Sequence, residues 1–428
     1  MDKIKLEGLD EIVFHEKLDN GLNIYVLKKE NYNTFSCYFI TNYGALIDKF
    51  RPIGENEIHT FPKGVAHFLE HKMFEQESGP TVLEKFSSLG GTCNAFTNYE
   101  YTAYYVNGVD NLKENLLFLL DYVQSPYFTD ENVEKEKGII DQERMMSLDN
   151  PYKTFYMKIL DNIFVNYEYG KSIVGEKDDI YSITKEDLYR CYNTFYNPSN
   201  MSLIVVSNED EEKIINIVKE NQKTKHFDKQ GEITIEKINE PDNVSKEYDV
   251  IYDNVTKPEV GFSIKLKLSD FDIDEDKLGI YIKILLFTNF SKFSKFNLEL
   301  KNKNLINGNI DFSASKYDDY AVISIVTSSN RVEDIIKEIK NKFNNLDLSE
   351  DDFNLIKKNL ISDFVYSFTT TNGIMGYLYS DYYQNKTITS DTFTKYKETY
   401  YDEYIKVIQK INLDNTSITI MKPKTDKE

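Results

Sequence analysis

Apolar and polar positions alternate or cluster along the chain in a way that separates short β-rich runs from longer amphipathic ones. Ile24-Tyr25-Val26-Leu27 follows an Asn20-Gly21 turn, and Phe35 to Thr41 is a second β-rich run. Residues 11 to 47 therefore read as strand-rich, with these two runs as an opening antiparallel pair. Helical spacing occupies Val65 to about Phe74 and Thr81 to Leu89. Gly90-Gly91 then breaks the pattern, and Cys93 to Val106 returns to β character. An amphipathic helix is predicted over Asn111 to Val123. After Pro126, Thr129 with Asp130 and Glu131 supplies an N-cap and first-turn acids for a helix reaching about Met146.

The second half repeats this order. Leu278 to Phe287 is helical, Asn307-Gly308 breaks the chain, Ala321 to Val326 reads as a strand, Val332 to Phe343 as a helix, and Ser349-Glu350-Asp351 caps another. Thr129 meets Ser349 and Val133 meets Phe353 at a constant offset of 220 positions. The pattern predicts two tandem α+β domains, each an antiparallel sheet with helices packed on one face. Their boundaries fall at 1–220 and 248–428, with residues 221–247, rich in Lys, Asn, Glu and Gln, as an exposed linker.

Composition narrows the function. The chain has 428 residues, 51 Lys plus Arg against 71 Asp plus Glu, and a formal charge of -20. Such a surface repels nucleic acid, whose binding needs clustered cations that release counterions. No apolar stretch approaches the roughly 18 residues of a membrane span, and none resembling a secretory h-region follows Met1. Cys37, Cys93 and Cys191 are odd in number and far apart, which excludes a disulfide framework and a thiolate zinc site. A soluble protein of a reducing compartment, the cytoplasm, is expected, with Cys93 a small packed residue rather than a nucleophile.

The chemistry concentrates in His67-Phe68-Leu69-Glu70-His71. Positions i and i+4 share a helix face, so His67 and His71 can present two imidazoles to one metal ion, with Glu70 beside them as a base. Zinc needs a third ligand, and the helix beginning after Thr129 offers Glu136 and Glu143, two turns apart on one face. Glutamates among lysines on a helix are ordinarily a solvated face. By spacing alone neither is preferred. His15, His59 and His226 lack ligand-spaced companions and read as ordinary surface or packed residues.

The order His-x-x-Glu-His resembles the signature of the inverzincins, the pitrilysin/insulinase family of metallopeptidases. Gly90-Gly91-Thr92-Cys93-Asn94-Ala95-Phe96-Thr97 is similar to the family's Gly-x-x-x-Asn-Ala-x-Thr strand, and Val133 to Glu143 to its helix with two glutamates seven apart. Leu18 to Leu22, Pro126-Tyr127-Phe128 and Asn197 to Met201 add to the likeness, which is greatest to the YmfH-like branch of Gram-positive bacteria. It is dense over residues 15 to 207 and thin afterwards.

The resemblance implies a mitochondrial-processing-peptidase-like fold and a zinc endopeptidase acting on peptides or unstructured segments. It implies one Zn2+ per chain held by His67, His71 and Glu143, Glu70 as general base, and Glu136 as a carboxylate that orients a ligand or holds the ligand helix in place. It also implies an edge strand along which Asn94 and Ala95 bind an extended substrate. The second copy lacks this set, since Ile356 stands for Glu136 and Asp363 for Glu143. In the family a C-terminal domain supplies an Arg and, seven residues on, a Tyr that grip the substrate. Lys301 occupies the corresponding place without a following Tyr, and Arg331, the one Arg of the second half, lies elsewhere in the repeat. A heterodimer with a similar-sized member supplying that pair is therefore expected. A silent scaffold subunit and a maturation protease for a ribosomally made peptide are the rival readings.

Overall fold

Residues 1–227 and 231–426 are described by a computed structural model. In chain order the strands are β1 (Asp2–Leu6), β2 (Glu11–Lys17), β3 (Asn23–Lys28), β4 (Phe35–Thr41), β5 (Lys49–Phe50), β6 (His59–Thr60), β7 (Gly91–Thr97), β8 (Thr102–Gly108) and β9 (Met201–Ser207). They continue as β10 (Tyr248–Asp253), β11 (Glu259–Lys267), β12 (Asp311–Tyr317), β13 (Tyr320–Ser328) and β14 (Thr416–Pro423). A seven-stranded sheet has the order β1-β2-β3-β9-β4-β8-β7, a five-stranded sheet the order β10-β14-β11-β13-β12, and β5 pairs with β6.

The expected opening pair does not form. β9 lies between β3 and β4, parallel to the first and antiparallel to the second. Met201 to Ser207 is buried throughout, as befits a strand covered on both faces, and such a strand belongs in the centre of a sheet. The second sheet repeats this, with β10 parallel to β14 and β14 antiparallel to β11. Each sheet is thus antiparallel except for one parallel pair. The shared order β3-β9-β4-β8-β7 and β10-β14-β11-β13-β12 is the repeat seen in the sequence, to which β1 and β2 are an addition.

The two sheets belong to two compact units that are not contiguous in sequence. One comprises Met1–Met146, Ser172–Lys237 and Phe364–Asp391; the other Ser147–Lys171, Ile238–Asp363 and Thr392–Glu428. The contiguous division at 1–220, 221–247 and 248–428 is therefore not the division of the packing. The helix Pro151–Ile163 buries Phe155 and Ile159 against Val326 and Met421 of the five-stranded sheet's unit. Its counterpart 220 positions on, Thr371–Asn385, packs on the seven-stranded sheet, where Tyr382 hydrogen-bonds Ser202 at 2.9 Å and its ring meets those of Tyr25 and Tyr101. Each helix goes where an apolar or aromatic sheet face is available to cover.

The expected linker is only partly one. A helix continues to Lys223, residues 228–230 lie outside the described residues, and Ile235 bridges Phe50. Glu240 is fully buried; its carboxylate pairs with Lys265 and accepts the main-chain N–H groups of Val165, Asn166 and Tyr167.

Candidate metal centre

The helix Val65–Lys72 begins abruptly at Gly64, which has φ 82°. A Cβ there would stand 2.3 Å from the Val174 carbonyl oxygen, so the start of this helix requires glycine. Val65, Phe68 and Leu69 then enter the core, which turns His67 and His71 toward the helix Asp130–Leu148. That second helix is held at its start by a reciprocal cap, Asn132 N–H to Thr129 Oγ1 at 3.1 Å and Thr129 N–H to Asn132 Oδ1 at 3.0 Å. Val133 and Ile140 pack in the core, and Glu136 and Glu143 are carried on the side that meets the histidines.

The two imidazole centroids lie 4.6 Å apart. Glu143 reaches both rings, Oε1 at 3.6 Å from His67 Nε2 and Oε2 at 3.4 Å from His71 Nε2. One ligand atom from each of these three residues falls within 4.8 Å of the others, the convergence a small cation needs. Two imidazoles and one carboxylate are also the donor set of known hydrolytic zinc centres, so these residues fit that ion. His67 is buried and its Nδ1 has no hydrogen-bond partner, whereas His71 Nδ1 lies 3.1 Å from Glu136 Oε1. That contact leaves His71 Nε2 directed at Glu143.

Charge follows from this packing. The rings of His67 and His71, each close to one of its oxygens, hold the Glu143 carboxyl well below the usual carboxylate range against its partial burial. Burial resists ionisation of Glu136, but the hydrogen bond to His71 and the charge of Lys72 outweigh it and lower its pKa. For His71, burial opposes the imidazolium, yet Glu136 and Glu143 together push the ring up to about 9. The pocket between the helices thus carries a strong demand for positive charge.

Glu70 is buried and accepts a hydrogen bond on Oε2 from Thr97 Oγ1 at 2.7 Å. Thr97 ends β7, the edge of its sheet, and lies 3.2 Å from Thr102 Oγ1, which donates to the Tyr43 carbonyl at 2.9 Å. Ala95, two positions before Thr97, shares its face and packs on the core. Asn94 is exposed on the opposite face, and its Oδ1 accepts the Ala95 N–H at 2.9 Å. Thr97 stands in the Asn-Ala-x-Thr motif without an assigned role, and Lys72 was assigned none. The signal for Thr97 was its place in that motif, two residues after Ala95; for Lys72 it was a lysine directly after His71 in a helix whose other residues are apolar apart from His67, Glu70 and His71.

The other histidines stand apart from this centre. His15 stacks on Tyr25 and bonds Asn23, and His59 pairs with Glu55 at 2.8 Å. Cys37, Cys93 and Cys191 are buried free thiols.

Residues 59–177 match the family described as Insulinase (Peptidase family M16), and residues 182–360 the family described as Peptidase M16 inactive domain. The zinc protease YmfH of Bacillus subtilis is 40% identical over 311 residues, 72% of this chain and 72% of that protein. A chain from Alicyclobacillus acidocaldarius described as an M16-like peptidase superposes with a TM-score of 0.89 at 26% identity, covering 97% of this chain and 99% of that one. A protease from Helicobacter pylori shares the fold at a TM-score of 0.81 and 19% identity, over 96% of this chain and 99% of that one. With two family matches in tandem and a 40% identical YmfH relative over most of its length, this chain belongs to the insulinase, or M16, family of peptidases, in its YmfH-like branch.

Proposed function

We propose that the protein is a zinc metalloendopeptidase that cuts peptides or unstructured segments, with one Zn2+ per chain held by His67, His71 and Glu143. The observation that carries this reading is the convergence of those three donors beside a buried carboxylate, Glu70. Zinc bound there supplies Lewis-acid chemistry, lowering the pKa of water toward about 7 and polarising a carbonyl. Glu70 takes a proton from the attacking water at Oε1, since Oε2 is already held by Thr97. The Thr97 hydroxyl, donating to Oε2, keeps that carboxyl in one orientation while it holds the proton and passes it to the leaving amine. Glu136 accepts from His71 Nδ1 and so fixes the ring. An extended peptide adds to the β7 edge, where the Ala95 N–H, now held by Asn94, is released to the incoming strand. A cytoplasmic setting agrees with the odd cysteine count and the three free thiols; among the described residues no helix is long and apolar enough to cross a membrane.

The test is zinc stoichiometry together with cleavage of unstructured peptides before and after chelation. One zinc per chain and chelator-sensitive cleavage are expected. Zinc without cleavage of any peptide, alone or with a partner, favours the scaffold reading.

We further propose that the working enzyme is a heterodimer. In support, Lys301 Nζ is engaged by Asn309 Oδ1 at 2.8 Å, and Arg331 pairs with Asp334 at 2.7 Å, so each cation has a local partner. Co-expression with a similar-sized family member lacking the zinc motif is expected to raise peptide cleavage. Full activity of the purified chain, with no gain on adding the partner, would sink the idea.

A further inference from the structure

Lys72 is the one side chain at the centre that neither the peptidase chemistry nor the packing of an apolar helix calls for. It follows His71 at the end of the histidine helix, and its side chain is 0% exposed. Burying an ammonium is strongly unfavourable unless each donor is matched. Here three donors meet three oxygens: the Asn132 carbonyl at 3.0 Å, Glu75 Oε1 at 3.1 Å and Glu136 Oε2 at 3.4 Å. Glu136 is itself buried, and its other oxygen, Oε1, is the one 3.1 Å from His71 Nδ1. One carboxylate therefore joins two consecutive side chains of the histidine helix, and the lysine also grips a carbonyl in the first turn of the glutamate helix. An apolar pair in the places of Lys72 and Glu136 would fill this space without any desolvation cost, so folding alone does not account for a lysine and a glutamate here.

We propose that Lys72 is a positioning residue for the metal centre. By holding Glu136 Oε2 it sets the carboxylate that fixes the His71 ring, and by holding the Asn132 carbonyl it fixes the glutamate helix against the histidine helix. His67, His71 and Glu143 are thereby preorganised for a divalent cation that Lys72 never touches. This rests on the metallopeptidase reading above and adds to it a residue outside the ligand set.

The experiment uses the full chain as wild type, Lys72→Met, Lys72→Gln, Glu136→Gln, the Lys72→Met/Glu136→Gln double variant and His71→Ala. Two quantities are measured: the Tm of metal-free protein and zinc affinity by chelator competition. Lys72→Met is expected to lower the metal-free Tm, because it leaves buried Glu136 and the Asn132 carbonyl without their cation, and to weaken zinc by about 10–100-fold, the range for groups that orient a ligand. In the Glu136→Gln background the same change is expected to weaken zinc by clearly less than in the wild-type background, because the part of its effect that travels through that carboxylate is already lost and only the Asn132 contact remains. Lys72→Gln keeps a donor for the Asn132 carbonyl and removes the cation; it stands in, with the same expected direction, should the methionine variant not fold. A folded Lys72 variant that binds zinc within about threefold of wild type overturns the proposal, and so does an undiminished effect in the Glu136→Gln background. Wild type that binds no zinc, or binds it no better than His71→Ala, overturns the centre itself. That result is distinct from a wild type that binds zinc and a Lys72 variant that matches it.

Discussion

In the first repeat position 136 is a buried glutamate gripped by His71 and Lys72; 220 positions on, position 356 is an isoleucine packed on the core of its own unit. Position 143 is a carboxylate facing two imidazoles, whereas Asp363 is exposed. The helices that bear them begin alike. Thr129 and Ser349 accept from the N–H groups of Asn132 and Asp352 at 3.1 and 3.3 Å, and both precede a core residue, Val133 or Phe353. The facing helices differ more. Val65–Lys72 presents His67 and His71 to its neighbour, while Glu275–Phe290 buries Leu278, Ile282, Leu285 and others in plain apolar packing. The comparison teaches that one strand order serves two purposes. Capping and core positions make the fold in both copies, and a few polar replacements on the facing helix surfaces make a charged pocket in one.

The sharpest way to break this comparison is at Glu70, for which the second copy has no equivalent. Glu70→Gln keeps the side chain's size and removes the proton acceptor, so cleavage is expected to fall at least about a hundredfold with zinc retained. Kinetics with metal analysis decide it, and near-wild-type cleavage would contradict the assigned base.

Changing the paired carboxylates to amides tests the two copies against each other. Glu143→Gln is expected to strip or greatly weaken zinc, and Glu136→Gln to weaken it by about 10–100-fold. Asp363→Asn, the counterpart of the first, should leave zinc content and cleavage within about twofold, as for an exposed residue. Zinc stoichiometry of the three variants gives the order, and a reversed order of the two glutamates would mean their roles are exchanged.

Thr97→Val removes the hydroxyl that holds Glu70 and keeps the shape. A hydrogen bond to a charged group is worth about 1.5–3 kcal/mol, so a fall in kcat of about tenfold or more is expected with unchanged zinc. An unaltered kcat would mean the hydroxyl does not position the base.

Building the first copy's chemistry into the second should fail. Ile356→Glu introduces a carboxylate into apolar packing, and among the described residues no histidine stands at the matching place on the facing helix. The expected cost is about 1–3 kcal/mol, read as a lowered Tm. A stable variant that gained zinc would show that the two copies differ less than their cores imply.

The sequence by itself determined the repeat, most helix and strand positions, and the chemistry of the histidine helix. Those rest on local rules: i,i+4 spacing, caps at Thr129 and Ser349, and breaks at Gly90-Gly91 and Asn307-Gly308. It did not determine that β9 enters between β3 and β4, although the unbroken apolar run of Leu203 to Val206 carried the signal for a central strand. Nor could it show that the helices Pro151–Ile163 and Thr371–Asn385 join the units they do, because an amphipathic pattern says that a face is covered but not by which sheet. The choice between Glu136 and Glu143 was equally closed to spacing alone, since both lie on one helix face. Only the rotation of that helix against the histidine helix puts Glu143 near both Nε2 atoms and Glu136 between His71 Nδ1 and Lys72. That rotation is set by Val133 and Ile140 in the core and by the buried lysine, which are contacts between segments some 60 or more residues apart, and such contacts exist only once the chain has folded.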